Sequence, residues 1–153
     1  MTTRSLTPGE RDMATSIFGS AIEYDAVTVK REKWFPFQPR ETLMAPCGHV
    51  YVNPRGSKWS EDYSREPVWL QALFLHELTH VWQAQLRGRF YLPLMRHPFC
   101  RYAYQFVPGR SFERYGLEQQ GEIVRHTHLR RSGIALDKAP PLELLESILP
   151  FSR

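Results

Sequence analysis

The sequence predicts an α+β domain: one central helix packed with a small antiparallel or mixed sheet and a second long helix. Three observations carry that expectation. Residues 67–87 are apolar around most of a helical circumference, and residues 112–131 form a second helix-length run. Short extended candidates at 26–30, 42–45 and 49–52 precede the first of these, bounded by turn residues. At 153 residues, with 42% apolar and 24% charged side chains, the chain suits one globular domain, expected over 6–150. The net charge of +4 comes from arginines scattered without a dense basic block, so nucleic acid is not the expected partner.

Taken in order, Thr7-Pro8-Gly9-Glu10 starts a helix, with Thr7 as N-cap, Pro8 in the first turn and Glu10 completing a capping box. Met13, Ala14, Ile17 and Phe18 give that helix its apolar face, and Gly19 ends it. Residues 34–39 hold three aromatics and two prolines, which reads as a loop packed down on the core. The strands at 42–45 and 49–52 flank Pro46-Cys47-Gly48, and one of them is a candidate edge for pairing with a peptide. Cys47-Gly48-His49 reads as a turn with a small thiol rather than a metal pair. Residues 57–66 read as a polar surface loop. Pro67 opens the central helix and Gly88 stops it. Residues 89–108 look irregular and aromatic, lining a cleft or covering the core, and His97 reads as a surface or packing histidine. Ser111 is the expected cap of the second long helix and Ser132-Gly133 its end, followed by a short apolar helix within 140–149.

The amino end has no apolar run of signal-peptide length, and every long apolar stretch is interrupted by polar residues. The expectation is therefore no membrane span and a cytoplasmic protein, or one exported by a signal-free secretion system. Cys47 and Cys100 are expected to be separate thiols, with one bridge between them allowed in an exported protein.

The chemistry sits in the central helix, where His76-Glu77-Leu78-Thr79-His80 is an H-E-x-x-H pattern. On a helix, His76 and His80 stand one turn apart on one face and reach a single ion. Glu77 is turned about 100° from His76, close to that ion without ligating it. Leu70, Phe74, Leu75, Leu78, Val81 and Trp82 occupy a broad opposite arc, and Trp69, Ala72, His76, His80, Gln83 and Arg87 make a narrow polar strip. Unpaired imidazoles in so apolar a helix are costly, and a metal removes that cost. Two neutral imidazoles holding Zn2+, whose charge acidifies water, with a carboxylate taking the proton, suit hydrolysis; Glu77 is the expected catalytic base.

A catalytic zinc needs a third protein ligand. Residues 81–87 contain no further histidine, so the ligand is distal. Glu118 and Glu122 lie one helical turn apart, with Gly121 between them permitting a close helix approach. Glu118 is taken as the ligand and Glu122 as the acceptor that orients a ligating imidazole through its other nitrogen, with the reverse assignment left open. Alone, such a pair is an ordinary solvated helix face. His126 and His128, set among Arg125, Arg130 and Arg131, read as an exposed basic end and are weaker candidates. For an oxyanion donor, Tyr104, Tyr115 and Arg125 all remain open.

The run from His76 to Gln83, together with Glu118-Gln119-Gln120-Gly121-Glu122, resembles gluzincin-type zinc metallopeptidases. Leu6-Thr7-Pro8-Gly9-Glu10 and Ile17-Phe18-Gly19 add a similarity to small bacterial Vgr-related proteins and to zincin domains found with contractile injection systems. The likeness spans residues 6–131. It implies a zincin-like fold, a zinc ion, hydrolysis of a peptide or protein substrate, and association with type VI secretion as effector or processing factor. The sequence departs from the usual pattern at Gly121, where alanine is commoner, and no second helper acid aligns. The rival readings are a non-catalytic zinc-binding adaptor or chaperone of the secretion apparatus and, less favoured, a DNA-associated protease suggested by the surplus of arginine.

Overall fold

A reciprocal capping box starts the first helix. Thr7 Oγ1 accepts from the Glu10 amide at 3.1 Å and Glu10 Oε2 accepts from the Thr7 amide at 2.9 Å, which sets α1 (Pro8–Phe18) at its first proline. It stops at Gly19, whose φ of 56° suits a residue without a Cβ. The structure, a computed structural model, describes residues 2–96 and 100–151. His97 and Phe99 lie outside the described residues.

Glu10 is buried, and its carboxylate also takes two bonds from Arg4, at 3.0 and 2.8 Å, and one from the Tyr63 amide at 2.8 Å. Arg4 belongs to β1 (Thr2–Ser5), a strand the sequence reading passes over and which lies ahead of the expected start at residue 6. Its four polar residues carry no apolar alternation; pairing with β2 (Thr28–Arg31) and the Arg4–Glu10 contact make it a strand. β4 (Val50–Val52) runs parallel to β2, and β3 (Leu43–Met44) antiparallel to β4, giving a mixed sheet of order β1-β2-β4-β3.

α2 (Val68–Arg87) packs mainly on α4 (Leu117–Arg131) and also meets β3 and β4, and every residue from 74 to 84 is buried. A helix covered all round is what its near-continuous apolar surface requires. α3 (Tyr91–Met95) packs on α2 and α5 (Leu142–Ile148) on α4. The domain is thus a mixed α+β structure. Among the described residues no helix is long and apolar enough to cross a membrane. Cys47 and Cys100 are not joined in a disulfide.

Four local expectations change. In the 34–39 loop the residue that turns inward is Gln38, which accepts from the Trp34 amide and donates toward Tyr51 O, while Phe37 is 86% exposed. Within 57–66, Tyr63 is fully buried and stacks on Phe74 with centroids 4.5 Å apart. The irregular 89–108 stretch contains α3. The helix expected from Phe112 is broken: residues Phe112–Arg114 form a 3-10 turn and Tyr115 and Gly116 are extended, so α4 begins at Leu117. Gln119 closes that start by accepting from the Gly116 amide at 2.8 Å, a task the sequence reading gave to Ser111.

Candidate metal centre

α2 presents His76 and His80 toward α4, and Glu118 in the first turn of α4 meets both. His80 Nε2 stands 2.5 Å from Glu118 Oε1, and His76 Nε2 stands 3.8 Å from Glu118 Oε2. One donor atom from each of the three residues lies within 4.8 Å of the others, and all three residues are buried. Ligands about 2.1 Å from one ion at tetrahedral angles stand about 3.4 Å apart, so the observed spacing brackets that of a bound divalent cation.

The bonding pattern supports the fit. Among the described residues, five buried side-chain polar atoms lack a hydrogen-bond partner, and four of them are His76 Nδ1, Glu77 Oε2, His80 Nε2 and Glu118 Oε1. His80 Nε2 and Glu118 Oε1 are close together without hydrogen-bond geometry, as two lone pairs aimed at a common third point are. Buried groups left in that state cost free energy unless something binds them; a cation held between them would satisfy His80 Nε2 and Glu118 Oε1, with Glu77 Oε2 beside it and His76 Nδ1 turned to Glu122.

The surroundings hold each of the three side chains in place. His80 Nδ1 donates to Gln83 Oε1 at 2.8 Å; the Gln83 amide nitrogen donates to Leu117 O at 3.1 Å and Gln120 Oε1 at 2.9 Å; and Gln120 donates to Tyr115 O at 2.9 Å. Because that chain leaves Gln83 only its oxygen to offer, His80 carries its proton on Nδ1 and keeps the Nε2 lone pair free. His76 Nδ1 faces Glu122 Oε1 at 3.5 Å, an ion-pair separation longer than a good hydrogen bond. Glu122 is itself gripped by Arg125 at 2.9 Å and His126 at 3.4 Å. The His76 ring lies flat on Gly121: a Cβ there would sit 2.7 Å from Cε1 and 2.8 Å from both ring nitrogens.

Glu77 is buried beside the cluster and outside it. Burial pushes its pKa up, partly offset by His80 and His76. Glu118 is the opposite case: burial disfavours its charge, but His76 and His80 hold its carboxyl far below the usual range.

Sequence reasoning missed three neighbours, Arg96, Tyr102 and Gln120. Arg96 reaches Glu118 Oε2 at 3.3 Å, and Tyr102 stacks on His76 with centroids 6.0 Å apart and an 18° interplanar angle. Gln83 stands on the polar strip read from the sequence, but nothing in its spacing names Gln120 as its partner. Of the three oxyanion candidates, Tyr104 bonds His126 Nδ1 at 2.7 Å, Tyr115 accepts from the Val107 amide at 3.1 Å, and Arg125 pairs with Glu122. All three are committed to other partners. His126 and His128 are half-buried rather than exposed, the latter bonded to Gln71 at 2.8 Å. Neither joins the cluster. His49 bonds Thr28, and Cys47 contacts Tyr51.

No family model matches the chain. It is 36% identical over 135 residues to the type VI secretion system spike protein VgrG2b of Pseudomonas aeruginosa, which covers 84% of this chain and 13% of that protein's length. The solved effector domain of Pseudomonas aeruginosa VgrG2b superimposes with a TM-score of 0.73 at 35% identity, covering 84% of this chain and 75% of that one.

Proposed function

The chain belongs to the family of the VgrG2b effector domain, and on that footing we propose that it is a zinc-dependent metallopeptidase linked to a bacterial type VI secretion system, a gluzincin with residues 6–150 as one zincin-like domain. His76, His80 and Glu118 hold the metal, and Glu77 is the catalytic base. The observation that carries the reading is the Oε2 of Glu77: a buried carboxylate oxygen without a hydrogen-bond partner among the described residues, next to a three-residue donor cluster it does not join. A metal staple needs no such neighbour; a hydrolase does.

A zinc ion held by these three residues supplies Lewis acidity, which acidifies water and polarises a carbonyl at neutral pH. Glu77, its proton affinity raised by burial, accepts the proton of the attacking water and passes it to the leaving amine nitrogen. Gln83 and Gln120 keep His80 in the ligating tautomer, and Glu122 orients His76 through Nδ1. Arg96 donates to Glu118 Oε2 and Tyr102 stacks on the His76 ring, which fixes both groups.

One observation favours a second reading, a zinc-binding adaptor or chaperone of the secretion apparatus. The ligands are buried, and none of them lines the open grooves beside them. Two measurements separate the readings. Glu77→Gln is expected to bind zinc with wild-type stoichiometry and lose turnover of a peptide library; turnover unchanged in that variant removes Glu77 from the chemistry. Wild-type protein carrying one zinc and inert toward every peptide and protein offered establishes the adaptor.

A further inference from the structure

A groove of about 1280 Å³ opens beside the proposed metal centre and adjoins it through Tyr102, which stacks on His76, and Glu122, which faces His76 Nδ1. α4 forms its floor. One wall is the segment 101–107, and the other is the loop 136–139, which Arg130 clamps by donating to Leu136 O at 2.9 Å and Ala139 O at 2.8 Å. Two properties of this groove are unused by the chemistry described above.

The first is the backbone of the 101–107 wall. Tyr104 and Phe106 are half-buried while Ala103 and Gln105 are exposed, the alternation of a strand. Yet among the described residues no backbone group from 101 to 106 bonds another backbone group. Side chains fasten it instead: Gln119 donates to Ala103 O at 2.7 Å, and Tyr115 OH accepts from the Val107 amide. It is a held segment with most of its own donors and acceptors unbonded among the described residues, which is what a pairing peptide requires.

The second is charge. Arg125 and Glu122 in the groove neutralise each other at 2.9 Å. Arg101, Arg110 and Lys138 remain against the single carboxylate of Asp137, and among the described residues no carboxylate lies within ion-pair reach of those three cations. Arg110 is seated over the Tyr115 ring at 5.4 Å, so its guanidinium is held at the groove.

We propose that this groove binds an extended, carboxylate-rich peptide, paired along the free backbone of 101–106 with its acidic side chains against Arg101, Arg110 and Lys138. Its identity as substrate rests on the peptidase reading; the binding itself does not.

The test uses the full chain, with and without zinc, and a fluorescein-labelled glutamate-rich octapeptide followed by anisotropy. The expected result is binding about tenfold tighter than the glutamine counterpart, weakened by salt, with R101E/K138E losing about tenfold for the acidic peptide and little for the glutamine one. Both side chains are exposed and outside the metal centre, and a wild-type circular dichroism spectrum and zinc stoichiometry verify that the variant folds. N-methylation of alternate peptide amides is expected to weaken binding about tenfold as well, the signature of backbone pairing. Equal affinity for acidic and neutral peptides, no effect of the charge reversal, or a single-stranded oligonucleotide that binds tighter than the peptide each overturns the proposal. Peptide binding that persists in a protein unable to take up zinc leaves this groove standing and sinks the peptidase reading; zinc and turnover retained without acidic-peptide preference does the reverse.

Discussion

Replacing Gly121 by alanine adds one methyl group against the face of the His76 ring, one of the three proposed metal donors. The added Cβ would stand 2.7 Å from His76 Cε1. Comfortable carbon contacts begin near 3.5 Å, so ring or helix must yield by about 0.8 Å. The ring has little room to do so: His76 is buried, Tyr102 stacks on it, and its two nitrogens face Glu118 and Glu122. If α4 backs away instead, it carries Glu118 off with it. Metal–ligand distances tolerate only about 0.2 Å, so either movement spoils the three-point site, and a loss of about 10- to 100-fold in zinc affinity is expected. The effect on the metal-free fold is small and separable: alanine gains roughly 1 kcal/mol of helix propensity, while overpacking takes back about 1–3 kcal/mol. Zinc competition against a fluorescent chelator, paired with thermal unfolding with and without zinc, measures both terms. The expected pattern is a stability within about 2 kcal/mol of wild type without metal and a much reduced zinc-induced rise in Tm. Wild-type zinc affinity in the variant would refute the argument that the glycine sets the ring position. The alanine commoner in the proteins this sequence resembles is, on this geometry, one that these two helices pack too closely to accept.

Gln83→Leu strands the His80 Nδ1 proton, Gln120 Oε1 and Leu117 O; expected are a loss of about 1–3 kcal/mol by urea unfolding and a 10- to 100-fold drop in zinc affinity, and unchanged affinity would show that His80 needs no orienting partner. Glu10→Ala leaves Arg4 without its carboxylate and is expected to cost about 3–5 kcal/mol while zinc affinity in the folded protein stays at the wild-type value, because the site lies on other elements; a loss under about 1 kcal/mol would mean that water replaces the pair. Burial, aided by Arg131, holds the His128 pKa below its ordinary value. The unfolded chain therefore takes the proton first, and stability is full above about pH 6.5 and falls as the pH drops through that value toward the folded one. His128→Gln should flatten the decline in Tm between about pH 7.5 and 5.5, and parallel curves for variant and wild type would exclude this histidine from the effect.

The elements legible in the sequence were those whose signal is local. Thr7, Pro8, Glu10 and Gly19 specify both ends of α1 through contacts within a few residues, and Pro67 and Gly88 bracket α2 in the same way. β1 was not legible, because Thr2–Ser5 has no apolar pattern and becomes a strand only beside β2. The break at Tyr115 and Gly116 was hidden for a similar reason. Both residues sit in a run that otherwise reads as helical, and Tyr115 leaves it to be buried with its hydroxyl on the Val107 amide.

On its own the sequence determined that two imidazoles and a carboxylate share one apolar helix, since a 3.6-residue period places His76 and His80 on one face wherever that helix goes. It also narrowed the distal acid to Glu118 or Glu122. Only the packing of α2 on α4 decided where each acid sits: close approach at Gly121 brings Glu118 between the two imidazoles and leaves Glu122 on the far nitrogen of His76. Arg96, Tyr102 and Gln120 arrive at the site by the same route. The reason is one of range: helical periodicity acts over a few residues of chain, whereas which groups meet across two helices depends on how closely their surfaces pack.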